Sequence, residues 1–197
     1  MSRTAHAVTL PADQVWWRVA DAAWPDPLDP TYADQRGGRW NTPGDGPTLY
    51  LNADVDTARA QIHRLLAGTA IDPEDLRDDA PFVLVPVGLP SRQRVADATS
   101  DTGLTALGLP RTYPRRPRGG EVPWSACRAA ARVVRAAGLR GIHARSAATP
   151  DGVGRELAWF PARAAHPHLA GEVLPFAQWR HPTGGSADSP AEVGAPR

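Results

Sequence analysis

Residues 37–66, GGRWNTPGDGPTLYLNADVDTARAQIHRLL, hold the densest information in this chain. Gly37 and Gly38 let the backbone approach a neighbour closely, Arg39 offers a planar fork of donors, and Trp40 offers a flat apolar surface. Residues 48–53 then alternate, with Leu49 and Leu51 on one face of a strand and Tyr50 on the other. Asp54 is placed to N-cap a helix that runs to Ala67 and stops at Gly68. At about 100° per residue, Val55, Ala58, Ile62, Leu65 and Leu66 form one apolar stripe. Gln61 falls at its margin, half sheltered and facing whatever the helix packs on.

Working outward, residues 15–20 (VWWRVA) read as a strand, preceded by a loose leader over residues 1–14. The stretch after it, DAAWPDPLDPTYADQRGG, must be a long loop because Pro25, Pro27 and Pro30 punctuate it. Downstream, residues 82–89 (FVLVPVGL) form a second clear strand, in which Pro86 suggests an edge or a bulge. Residues 90–123 carry little periodicity. A second helix spans residues 125–137 with Gly138 as its stop, and it presents Arg128, Arg132 and Arg135 on one basic face. Residues 139–144 and 156–162 read as two more strands, and residues 173–179 as a last one. From residue 181 the composition is that of a disordered tail, which leaves one domain over residues 15–180. Short strands, two clear helices and long loops make an α+β pattern, without the regular alternation of a doubly wound sheet. No glycine run matches the dinucleotide fingerprint or the phosphate loop.

Composition narrows the chemistry. In 197 residues, 22 basic side chains face 21 acidic ones, a formal +1, which argues against nucleic-acid binding through bulk charge. Every basic side chain is Arg, so each cation is a fork suited to phosphate or carboxylate. The lone Cys127 excludes an internal disulfide framework and a multi-cysteine zinc site. His166 and His168 have the spacing of a metal pair but no evident third ligand, so no metal is expected. No signal peptide or membrane-spanning run is apparent, and a cytoplasmic location is expected. The cluster Arg111, Arg115, Arg116 and Arg118 around Tyr113 suits a nucleic acid or an acidic partner, against the simpler reading of a solvated loop.

The ordered set of motifs resembles the RES domain, a family named for an Arg, a Glu and a Ser spread through the chain. Arg18 within WWRVA matches the first-strand arginine. GGRWNTPG followed by LYLNADVDTARAQ matches the central signature, with Arg39 and Tyr50. GLRGIHARSAA matches the serine segment and places that serine at Ser146, and ELAWFP resembles the last core strand. The likeness spans residues 15–162. It implies an ADP-ribosyltransferase-like fold, with short strands in a split β-core flanked by a few helices and long loops. It further implies the toxin half of a toxin–antitoxin pair, acting on NAD as substrate by breaking the nicotinamide–ribose bond. Inorganic phosphate, water or a protein accepts the ADP-ribose in different members, so NAD phosphorylase, glycohydrolase and ADP-ribosyl transfer stay open. The implied partner is an Xre-type helix-turn-helix antitoxin that covers the active site.

The residue types suit that chemistry. Arg18 and Arg39 are suited to paired, charge-assisted hydrogen bonds with the diphosphate. Tyr50 is suited to packing on the nicotinamide ring or donating its hydroxyl, beside Trp40, and Ser146 to holding a ribose hydroxyl or positioning an arginine. Loss of nicotinamide leaves an oxocarbenium-like ribose that a carboxylate would stabilise. The family places a helical glutamate there, and this chain has Gln61 instead. An attenuated enzyme, an inactive binding module for NAD or an antitoxin, and an enzyme with a relocated carboxylate are the readings that follow. Glu156, at the start of the strand after Ser146, is a candidate for the third. Where the rest of the site is intact, Gln61→Glu is expected to raise NAD consumption sharply.

Overall fold

Alternation along residues 15–20 does form a strand, β2 (Trp16–Asp21), in which Trp16, Arg18 and Ala20 are buried and the intervening residues are half-buried. The computed structural model describes residues 4–149, 151–162 and 166–182. β2 pairs antiparallel with β4 (Phe82–Gly88) along its whole length, from Trp16 with Val87 to Asp21 with Phe82. On its other side it meets β3 (Leu49–Asn52) at one register pair only, Trp17 with Asn52. β3 in turn pairs with β7 (Arg155–Trp159), β7 with β6 (Gly141–Arg145), and β6 with β5 (Arg94–Ala98). The fold is therefore α+β, and the expected split β-core is one continuous sheet that narrows to a single register pair between β3 and β2.

Three expectations change. Residues 1–14 are not a loose leader throughout, because β1 (Ala7–Thr9) pairs with β5 and Asp97 N–H donates to His6 O at 2.8 Å. Residues 90–123 hold β5 and a helix, α3 (Asp101–Ala106). β5 escapes a pattern reading because Val95, Ala96, Asp97 and Ala98 are all buried, so no face alternates. Gly103 sits mid-helix in α3, where glycine is costly, yet any Cβ there would lie within 2.8 Å of the Asp97 carbonyl carbon. Residues 173–179 are not one strand but the two-residue β9 (Leu174–Pro175) followed by a short helix, α5 (Phe176–Trp179). The tail from residue 183 onward lies outside the described residues.

Pro86 sits where an absent N–H costs nothing. β8 (His168–Leu169) pairs with Val87 and Gly88, and β9 pairs with Val83 and Leu84, which leaves Pro86 in the gap between the two short edge strands. Its carbonyl still accepts from Ala170 N–H at 2.9 Å.

The two longest helices and α5 lie over one face of the sheet. α2 (Val55–Leu66) is N-capped by Asp54, whose side chain accepts from Thr57 N–H at 2.6 Å, and it buries Ala58 and Ile62 against Leu84, Phe176 and Trp179. α4 (Trp124–Ala136) buries Cys127, Ala130, Ala131 and Val134 over β5 and β6. The opposite face packs Trp16, Leu49, Leu51, Val85, Leu157 and Trp159 under Leu10, Trp24 and Leu28. α1 (Thr31–Arg36) leads into the Gly37–Gly38 segment beside the first face. No helix among the described residues is long and apolar enough to cross a membrane.

Candidate active site

The floor of the cleft between α2 and α4 follows from strand register. Asn52 on β3 pairs with Glu156 on β7, and Tyr50 pairs with Ala158, so Tyr50, Asn52 and Glu156 project from the same face. One cavity of about 240 Å³ is lined by Gly37, Gly38, Arg39, Tyr50, Gln61, Arg64 and Glu156, with Tyr32 and Trp124 at its rim. A second, of about 190 Å³, is lined by Val19, Tyr50, Asn52, Gln61 and Glu156. The two share Tyr50, Gln61 and Glu156, which therefore mark their junction.

Glu156 is the centre of the polar contacts there. It is 7% exposed. Its Oε1 accepts from Trp40 Nε1–H at 3.2 Å, and its Oε2 accepts from Ser146 Oγ–H at 3.2 Å and Gln61 Nε2–H at 3.4 Å. Burial pushes the Glu156 carboxyl above the ordinary carboxylate range, opposed by Trp40, Arg39, Ser146 and the Ala147 N–H. A sheltered carboxylate with three side-chain donors is the arrangement that holds one negative charge in a fixed direction.

The turn before β3 is held from two sides. Tyr50 Oη accepts from Trp40 N–H at 2.9 Å and donates to Asn41 Oδ1 at 2.7 Å, and burial pushes the phenol pKa up, so it stays protonated. A Cβ at residue 38 would lie 2.7 Å from Tyr50 Cζ, and only glycine fits there. From α4, Arg128 Nε–H donates to Gly38 O at 2.9 Å and Arg135 Nη2–H donates to Thr48 Oγ1 at 2.7 Å. The basic face read from the sequence is therefore a staple for residues 38–48.

The residues expected at the site divide. Arg39, Tyr50 and Gln61 line the cleft. Ser146 is fully buried and serves Glu156 and the Ala148 N–H, which donates to it at 3.1 Å. Trp40 is fully buried too, its ring 5.6 Å from that of Tyr113, so it offers the cleft no flat surface and acts through its N–H. Arg18 is not in the cleft. It is registered with Val85 on the far face, donates to Asp29 O at 3.3 Å and lies 5.6 Å from the Trp24 ring. Strand alternation explains this, since Trp17 and Val19 take the cleft side. His143 likewise turns to the far face, edge-on to Trp16 at 5.6 Å. His63 is exposed.

Two functional candidates escaped the sequence reading. Arg64 follows Gln61 by three positions, which puts both on one helix face, a spacing that could have found it. Glu121 had no local signal, because its partners Arg39 and Arg64 are distant in sequence.

The family model of the RES domain matches residues 15–182. The chain belongs to the RES-domain family. This RES chain is similar in fold to a chain in the crystal structure of the M. tuberculosis MbcT–MbcA toxin–antitoxin complex, with a TM-score of 0.67 and 21% identity over 87% of this chain and 91% of that one. No curated protein sequence matches it.

Proposed function

We propose that this RES-domain protein is the toxin of a toxin–antitoxin pair and cleaves NAD at the nicotinamide–ribose bond, with Glu156 in the role the family gives to a helical glutamate. The observation that carries this reading is the Glu156 carboxylate at the junction of the two cavities, beside Gln61, where the family's own carboxylate would stand. A dinucleotide has two ends, and a junction of two cavities suits a bond cleaved between them. As the bond breaks, nicotinamide leaves with the electron pair and becomes neutral, and positive charge moves onto the ribose. Glu156 opposes that charge, while Trp40, Ser146 and Gln61 fix its direction. An acceptor oxygen from water or phosphate then bonds to the same ribose carbon and gives up its proton.

Arg39 supplies the cation for the diphosphate, and Tyr50, with its hydroxyl committed to the turn, supplies ring surface. An antitoxin of the helix-turn-helix Xre type is the partner proposed from the family, and the structural neighbour, which comes from a toxin–antitoxin complex, supports an antitoxin as the partner.

The test is NAD loss and nicotinamide release by the purified chain, with and without inorganic phosphate, beside Glu156→Gln. Turnover that falls on the order of 10²–10³-fold in the variant is the expected result. Release that depends on phosphate identifies the acceptor. No release from the unaltered chain leaves the inactive binding module as the better account.

A further inference from the structure

Two guanidinium groups in the cleft wall converge on a carboxylate that is not part of the Glu156 cluster. Glu121 Oε2 accepts from Arg39 Nη2–H and Arg64 Nη2–H, each at 2.7 Å, and Oε1 accepts from Arg64 Nη1–H at 2.7 Å. Each arginine is also tied to the main chain, Arg39 to Val122 O at 3.2 Å and Arg64 to Ala147 O at 2.8 Å. The side chains of Arg39 and Arg64 are 8% and 32% exposed, whereas that of Glu121 is 46% exposed. The cations are thus sheltered and the anion faces outward. Two guanidinium groups converging on one anion, Arg64 as a fork and Arg39 through one N–H, is also a geometry in which arginines hold a phosphate group.

The three charges come from different elements. Arg64 belongs to α2 and Arg39 to the turn before β3, while Glu121 closes a tight hairpin in which it bridges Arg115 and in which Gly119 and Gly120 take positive φ of 87° and 74°. Hydrogen bonds from Arg64, and then from Arg39, hold the Glu121 carboxyl down at about 2 against the opposing effect of burial, so it is ionised throughout the neutral range.

We infer that Glu121 is an internal anion held in a site for phosphate groups, and that a diphosphate binds between Arg39 and Arg64 by exchange with it. This rests on the NAD reading for the identity of the diphosphate. The exchange itself concerns only the anion. Glu121 then sets how tightly the cleft takes any phosphate-bearing ligand, because each such ligand must compete with a carboxylate that is always present.

Calorimetric titration of the full chain with pyrophosphate, at fixed ionic strength, tests the exchange. Glu121→Gln keeps an oxygen acceptor but removes the charge, and pyrophosphate is expected to bind about tenfold more tightly, equivalent to about 1.4 kcal/mol. Adding Arg64→Gln to that variant is expected to abolish the gain. Equal or weaker pyrophosphate binding by a folded Glu121→Gln variant would overturn the inference and make Glu121 a residue that positions the arginines. Glu121→Asp keeps the charge on a shorter arm and decides the matter if the glutamine variant does not fold: a smaller tightening supports exchange, and weaker binding refutes it. A gain in pyrophosphate affinity without NAD cleavage would remove the NAD reading and leave the exchange standing. NAD cleavage without that gain would remove the exchange alone.

Discussion

The indole N–H of Trp40 donates to Glu156 Oε1 at 3.2 Å and so ties the glycine turn to a strand 116 residues later. This bond explains why a fully buried tryptophan belongs to the site without lining it. Its donor favours the ionised carboxyl that burial disfavours. Trp40→Phe keeps most of the ring volume and removes that donor. The Glu156 pKa then rises further, and because the proposed chemistry needs the carboxylate, the acid limb of NAD consumption is expected to move to higher pH. A hydrogen bond to a charged group contributes about 1.5–3 kcal/mol, so the rate at neutral pH should fall roughly tenfold or more. A pH–rate profile checks this, and an unshifted limb would show that another group governs it.

The contact between Gln61 and Glu156, at 3.4 Å, alters what Gln61→Glu should do. Read from the sequence, a carboxylate at residue 61 restores a missing charge. In the structure it would stand against one already present, and two carboxyls that close cannot both ionise freely. Gln61→Glu alone is therefore expected to change NAD consumption by less than tenfold. The double change Gln61→Glu with Glu156→Gln moves the charge to the helix and should recover part of the activity lost by Glu156→Gln. A large gain from the single change would instead mark Glu156 as a structural group.

Arg18 and Arg39 provide a matched pair. Arg39 lines the cleft and Arg18 is buried on the far face, where burial lowers its pKa to about 10. Arg39→Met is expected to raise the KM for NAD at least tenfold through loss of charge-assisted hydrogen bonds. Arg18→Met should leave that KM within about twofold and appear instead as a change in thermal stability of a few degrees. Steady-state kinetics beside melting curves separate the two.

Which parts of this were legible beforehand follows the physics of each signal. The strand of Tyr50 declares itself because its apolar Leu49 and Leu51 alternate with more polar residues, the helix of Gln61 because its apolar residues recur at the helical period, and Asp54 and Gly68 mark the helix ends. β5 has both faces buried and loses its period, and Gly103 hides α3. Family motifs single out Arg39, Tyr50 and Ser146, but a motif carries no face. The motif therefore groups Arg18 with the diphosphate, whereas strand alternation turns it away from the cleft. Glu121 acquires meaning only when the chain folds, since nothing near it in sequence announces its two arginines.

Gly38 and Tyr50 offer a steric test of the turn. A methyl at residue 38 would strike the Tyr50 ring and hydroxyl, which are held by Trp40 N–H and Asn41. Gly38→Ala must shift either the ring or the turn, with a cost of about 1–3 kcal/mol, the range for overpacking. Because the ring lines both cavities, NAD binding should weaken together with stability. Tyr50→Phe removes the hydroxyl that the methyl would meet most closely, so the double change is expected to cost less than the sum of the two single ones. Additive losses in denaturant unfolding would show that the clash lies elsewhere.

Asp97 joins β5 to α3, and its chemistry predicts how the fold responds to acid. Burial, the largest single influence, pushes its carboxyl up. The hydroxyls and N–H groups of Ser100 and Thr99 outweigh that and hold it at about 2. Thr99 N–H and Oγ1–H both donate to Oδ1 at 2.7 Å, Ser100 Oγ–H donates to Oδ2, and His6 Nδ1 lies 3.6 Å from Oδ2. The folded pKa lies below the unfolded one, so the stabilisation is complete above about pH 5 and lost as pH falls through 4 towards 2. A shift of this size corresponds to on the order of 2 kcal/mol. Asp97→Asn keeps the shape but places an amide against donors, and it should lower stability by a similar amount at pH 7. The gap between the two proteins should narrow steadily in melts at pH 5, 4, 3 and 2. Parallel curves over that range would mean that Asp97 is not ionised in the fold, and that the Thr99 and Ser100 contacts hold a protonated acid.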